Sequence, residues 1–164
     1  MQGRDGVRMT AKAMQLGQSL TTPARTIGER DIDVFAGLVG DYTPIHVDEI
    51  FAKSSPYGVR IAHGPLAMST AIGMLTQTGV LGERVIGLLN LNWDFCGPVK
   101  VDDTIRSHVT LEQLRPTSKP GRELATFAFE VVNQEERVVQ RGRMLVLVRT
   151  GGSADSDKQG CDNE

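Results

Sequence analysis

The sequence predicts an α+β fold in which one antiparallel β-sheet wraps around one long, buried central helix. Three observations predict it. Residues 65–77 form a helical stretch with almost no polar side. Four stretches in the second half of the chain alternate apolar and polar residues with period two, the signature of strands with one buried face. The 164 residues contain no internal repeat and no linker, and about half are apolar, so they suit one globular domain.

The elements follow in order. Residues 1–15 carry no sustained pattern and read as a flexible leading segment. Over 31–39, Ile32, Phe35, Ala36 and Val39 share one face, the i, i+3, i+4, i+7 spacing of an amphipathic helix, and Gly40 is a natural stop. Residues 40–52, GDYTPIHVDEIFA, read as a loop, because Pro44 pushes Thr43 out of the helical region. Pro65 suits the start of the second helix, where its missing N–H costs nothing. That helix holds Leu66, Ala67, Met68, Ala71, Ile72, Met74 and Leu75, so it should be buried on nearly all sides.

Strands are expected at 85–95, 104–112, 124–132 and 138–148. In the first, Val85, Gly87, Leu89, Leu91, Trp93 and Phe95 share a face; in the second, Ile105, Ser107, Val109 and Leu111 do. Short connections favour neighbours in a meander, so the last three strands should lie side by side. The turn 133–136 joins the final pair, and 115–122, RPTSKPGR, is the longer and more mobile connection. Residues 150–164 are small and polar and read as a disordered tail, leaving 16–149 as the folded domain.

Charge and composition exclude several function classes. With 18 Lys and Arg against 20 Asp and Glu, the net charge is -2, and no basic stripe points to nucleic acid. No apolar run reaches the ~18 residues of a membrane span, and residues 1–18 lack the apolar core of a signal peptide. The two cysteines, Cys96 and Cys161, form no CxxC motif, and a reduced, cytoplasmic setting is expected.

Chemistry concentrates between the two helices. Asp41 and His46 stand five apart around Pro44. A folded loop can bring a carboxylate and an imidazole to one water, and an imidazole titrates near neutrality, so the pair suits general acid/base work. The same residues also fit a plain turn. Farther on, Ile61-Ala62-His63-Gly64-Pro65 leads into the apolar helix. The first N–H groups of a helix lack partners and carry positive partial charge, and glycine lets an anionic oxygen approach. Gly64 is therefore a candidate oxyanion-hole donor through its backbone N–H, and equally a simple helix cap. Asp41, His46, Asp48 and His63 match no standard zinc spacing, and no metal is expected.

At these residues the sequence resembles the MaoC-like dehydratases, and within them the (R)-specific enoyl-CoA hydratases. Phe35, Leu38, Gly40, Asp41, Pro44, Ile45, His46 and Ala52 fall where the family's hydratase motif has them. Ile61-Ala62-His63-Gly64 is similar to its helix start, and 91–99 followed by Asp102-Asp103-Thr104 to its strand and turn. Thr43 and Val39 depart from it, standing where the family carries Asn and a small residue.

The resemblance implies a single hot dog domain. It implies reversible hydration of a trans-2-enoyl-CoA to an (R)-3-hydroxyacyl-CoA, with Asp41 and His46 activating water and the Gly64 N–H stabilising the thioester oxygen. The acyl-CoA is substrate, and no cofactor is implied. Phe35, Phe51 and His63 are the candidate substrate-binding residues, and Lys53, Arg60 and Arg84 flank the site. A homodimer joined at a sheet edge is implied, or a hexamer built as a trimer of such dimers. The alternatives are an acyl-CoA thioesterase and a non-catalytic acyl-CoA-binding protein on the same fold. Acyl chain length and branching are not legible in the sequence.

Overall fold

Four long strands build the sheet in the computed structural model, which describes residues 14–150. They are β3 (Val85–Phe95), β4 (Thr104–Pro116), β5 (Arg122–Val132) and β6 (Val138–Arg149), all antiparallel to their neighbours. Two short strands, β1 (Ser19–Thr21) and β2 (Arg25–Thr26), both pair with β4. The sheet order is β1-β4-β5-β6-β3. The expected meander is therefore present as β4-β5-β6, with β3 brought round to the outer edge beside β6.

Helix α1 (Glu29–Val39) ends on Gly40, whose φ of 76° closes it in the left-handed conformation that glycine adopts without strain. Helix α4 (Gly64–Gln77) packs against the sheet and buries Ala67, Ala71, Met74 and Leu75. These meet Ile105, Val109, Phe127, Phe129, Met144 and Val146 in one continuous core, to which Ile27, Ile32 and Met14 also belong. Residues 1–13 and 151–164, which include Cys161, most of the expected leading segment and all but the first residue of the expected tail, lie outside the described residues.

Four local expectations are corrected. The segment 40–52 is not one loop. After Thr43, extended at ψ 129° as Pro44 requires, Pro44–Val47 forms a turn of helix, α2, with proline in the first turn. Asp48 then caps α3 (Glu49–Ser54) by accepting from the N–H groups of Ile50 and Phe51.

Helix α4 is fully buried only at Ala67, Ala71, Met74 and Leu75; Leu66, Met68 and Ile72 are partly buried, and Pro65 and Ser69 are exposed. The alternation in β3 breaks at register shifts between Val85 and Gly87 and between Leu88 and Asn90. Leu91 and Trp93 turn inward, while Val85, Leu89 and Phe95 are exposed. Finally, β4 does not stop at Glu112. A bulge between Leu111 and Gln113 lets it run on to Pro116, so the connection to β5 shrinks to 117–121.

Candidate active site

The segment 60–62 is the scaffold on which the site is built. It runs beside the stretch that follows β3: Ile61 bridges Lys100, the Ala62 N–H donates to the Val99 carbonyl at 2.7 Å, and the Val101 N–H donates to the Arg60 carbonyl at 3.0 Å. On its other side it receives α2. The His46 Nδ1–H donates to the Ile61 carbonyl at 2.8 Å. A carbonyl only accepts, so this bond fixes the proton of neutral His46 on Nδ1 and leaves the lone pair on Nε2.

His63, the residue capping α4, is oriented by the same logic. Its Nε2–H donates to the Asp41 carbonyl at 2.9 Å. The ring is 2% exposed, and its Nδ1 is buried without a partner among the described residues. It stacks on His46 with centroids 3.8 Å apart, and Phe35 packs against it at 5.2 Å. His63 thus anchors the main chain of the Asp41 turn and forms a wall for His46.

The Asp41 carboxylate is half-exposed. Its Oδ1 accepts from the Thr43 hydroxyl at 2.6 Å and from the Thr43 N–H at 3.1 Å. These two bonds, with the Thr43 hydroxyl leading, hold the carboxyl below the usual carboxylate range. The nearby imidazoles act in the same direction. Thr43, one of the two departures from the family's motif, is thus the residue that holds the Asp41 carboxylate. Oδ2 lies 3.9 Å from His63 Nε2.

Asp41, His46 and His63 each bring one ligand-capable atom within 4.8 Å of the others, so these three could face one metal ion. Asp48, the fourth sequence candidate, is used instead as the α3 cap. The main-chain bonds already occupy one nitrogen of each imidazole ring.

Gly64 begins α4, and as a first-turn residue its N–H has no carbonyl one turn back. The Phe95 ring lies against it so closely that a Cβ on Gly64 would sit 2.7 Å from a ring carbon. A larger residue here would have to push the Phe95 ring of β3 aside. The Gly64 carbonyl accepts from Gln140 Nε2 at 3.0 Å.

Of the remaining sequence candidates, Phe35 reaches the site through His63, whereas Phe51 sits half-exposed on α3. Lys53 pairs with Glu49, and Arg84 donates to the Arg149 carbonyl. Arg60 differs from both. It is buried and makes ion pairs to Asp33 at 2.8 Å and Glu29 at 3.4 Å, with a longer bond to the His46 carbonyl at 3.4 Å. It ties α1 to α2. Sequence reasoning missed this role and those of Thr43 and Gln140. For Gln140 a signal existed: by strand parity it shares the inward face of β6 with Met144 and Val146.

Residues 11–133, three-quarters of the chain and the whole of the site up to β5, match the MaoC like domain. The chain belongs to the MaoC-like family. Among curated relatives it is 38% identical over 129 residues to an (R)-specific enoyl-CoA hydratase of Rhodospirillum rubrum, covering 75% of this chain and 85% of that one. It is 42% identical over 103 residues to Protein MaoC of Klebsiella aerogenes, covering 61% of this chain and 30% of that longer protein. A Mycobacterium tuberculosis protein described as having a double hotdog fold superposes with a TM-score of 0.74 at 21% identity. The overlap covers 85% of this chain and 44% of that one, so this MaoC-like chain corresponds to one hot dog unit.

Proposed function

We propose that this MaoC-like chain is a hydro-lyase that reversibly adds water to a trans-2-enoyl-CoA, giving the (R)-3-hydroxyacyl-CoA. One observation carries the reading. The unprotonated Nε2 of His46 and the ionised Asp41 carboxylate are two proton acceptors set side by side at the start of α4. Two acceptors suit the two hydrogens of one water, whose lone pair then points at the substrate. The Rhodospirillum rubrum relative, named for this reaction, supports the choice.

The chemistry runs as follows. The water oxygen bonds to C3 of the enoyl group while His46 Nε2 takes one of its protons. The C2–C3 π electrons move toward the thioester, whose oxygen gains negative charge. The Gly64 N–H, at the positive end of α4, donates to that oxygen. The proton on His46 then passes to C2, and the carbonyl re-forms. Asp41 is the poorer proton donor of the pair, since its hydrogen bonds favour the charged form. We therefore assign it to orienting the water and balancing the imidazolium. No cofactor enters this sequence. Phe35, Phe51 and His63 remain the proposed neighbours of the acyl group.

A second copy of the chain completes the assembly we propose. β3 is the sheet edge and exposes Val85, Ile86, Leu88, Leu89 and Phe95. An open apolar edge invites pairing, and an identical β3 would continue the sheet. Leu88→Lys together with Leu89→Lys should convert the dimer to a monomer in analytical ultracentrifugation; an unchanged sedimentation coefficient would place the contact elsewhere.

The test of function follows crotonyl-CoA by loss of its enoyl absorbance, with free thiol measured in parallel. Absorbance loss without thiol, and a product of (R) configuration, is the expected result. Thiol release would identify a thioesterase. Tight binding without turnover across longer and branched enoyl-CoAs would identify a binding protein.

A further inference from the structure

Gly64 is held by two alternate cross-strand pairs of the β3–β6 ladder. Trp93 stands opposite Gly142 and Phe95 opposite Gln140. The Trp93 indole lies flat over Gly142, where a Cβ would fall 2.0 Å from a ring carbon, and it leans on Phe129 at 5.2 Å. From that seat its Nε1–H donates to Gln140 Oε1 at 2.9 Å. The Gln140 Nε2–H donates in turn to the Gly64 carbonyl at 3.0 Å.

The direction of this relay is unambiguous. An indole N–H only donates and a carbonyl only accepts, so the Gln140 amide has one available orientation. Gln140 is 2% exposed, a site where an unpartnered amide is costly and where an apolar residue would pack. Among the described residues it makes the sheet's side-chain hydrogen bond to the main chain of α4. The Phe95 ring presses on the same glycine.

We infer that Gln140, oriented by Trp93, is a positioning residue that sets the register of Gly64 as the oxyanion donor. This rests on the hydratase reading. An oxyanion donor acts over a narrow distance range, so a small slide of the α4 start along the sheet weakens it in the transition state more than in the ground state. Gln140 touches no reacting atom; it acts through the Gly64 peptide.

The test compares Gln140→Leu and Trp93→Phe with wild type. Gln140→Leu keeps volume and removes both bonds; Trp93→Phe keeps an aromatic over Gly142 and frees the Gln140 amide. The expected result is a fall in kcat of about tenfold for Gln140→Leu and a smaller fall for Trp93→Phe. KM for crotonyl-CoA stays within about twofold, and the acid limb set by the Asp41–His46 pair does not move. A purely structural role would instead lower Tm and the active fraction, with kcat per folded molecule unchanged, and that result would overturn the inference. The Gly64 amide cross-peak in a 15N–1H spectrum reads the tether without turnover. It should shift in Gln140→Leu, and an unmoved peak would also overturn the inference. Wild-type protein without hydration of any enoyl-CoA would overturn the hydratase reading instead, whatever the cross-peak does.

Discussion

His46 and His63 stack face to face at 3.8 Å, yet each gives its ring proton to a different main-chain carbonyl, Ile61 for the first and Asp41 for the second. The two bonds tie α2 and the Asp41 turn to the strand-like segment that leads into α4. They also leave the two rings with opposite tautomers. His46 keeps its lone pair on Nε2, while His63 buries its free Nδ1. The hydratase proposal gives the chemistry to the first imidazole, and the second holds the Asp41 turn through its main-chain bond.

Asp41→Asn and His46→Gln should each lower hydratase turnover by about 10²–10⁴-fold, the usual share of an acid/base group. Asp41 is half-exposed, so the fold should survive its change. Circular dichroism and Tm check that, and near-normal rates in either folded variant would remove the assigned roles. Exhaustive chelation should leave wild-type turnover unchanged, because the proposed steps use the imidazole and carboxylate themselves.

Thr43→Val should raise the Asp41 pKa. The Thr43 hydroxyl is the largest cause of its lowered value, and the Thr43 N–H remains to hold part of the shift. The carboxylate must be charged to act, so the acid limb of kcat/KM against pH should move upward. Stability follows the same sign. A lowered folded pKa contributes stability that is fully present above the unfolded carboxylate value and fades as pH falls through the folded one. Thr43→Val should narrow that acidic window. A 13C titration of the Asp41 carboxyl measures the shift directly.

Two glycines should separate stability from activity. Gly142→Ala drives a methyl into the Trp93 ring, which is pinned by Gln140 and Phe129, and should cost about 1–3 kcal/mol in urea unfolding. Gly64→Ala meets the Phe95 ring, which is half-exposed and free to swing outward. Its stability cost should stay below about 1 kcal/mol, offset by alanine's helix preference. Its turnover should fall, and adding Phe95→Ala should recover part of the loss.

Arg60→Met should loosen the site from a distance. The change keeps much of the packing and removes the pairs to Asp33 and Glu29 and the bond to the His46 carbonyl. Because both carboxylates are largely exposed, the loss belongs near the lower end of about 1.5–3 kcal/mol. Equilibrium unfolding measures it, and faster amide exchange over 44–47 would report the slackened α2.

The signals legible along the chain were local. Period-two alternation marked β4, β5 and β6, apolar spacing marked α1 and α4, and Pro44 required the extended Thr43. The resemblance carried by residues 35–64 pointed to Asp41, His46 and Gly64, and the matched family agrees with that resemblance. These signals are legible because strand period, helix period and proline sterics act over a few neighbouring residues.

The remaining features arise only when distant segments pack together. Which nitrogen of His46 is free depends on the Ile61 carbonyl, fifteen residues away. The burial of Arg60 depends on α1 folding over it. The Trp93–Gln140–Gly64 relay depends on β3 pairing with β6 in one register. Hydrogen-bond partners, tautomers and close approaches between distant segments are properties of the packed chain, and no window of sequence contains both halves of them.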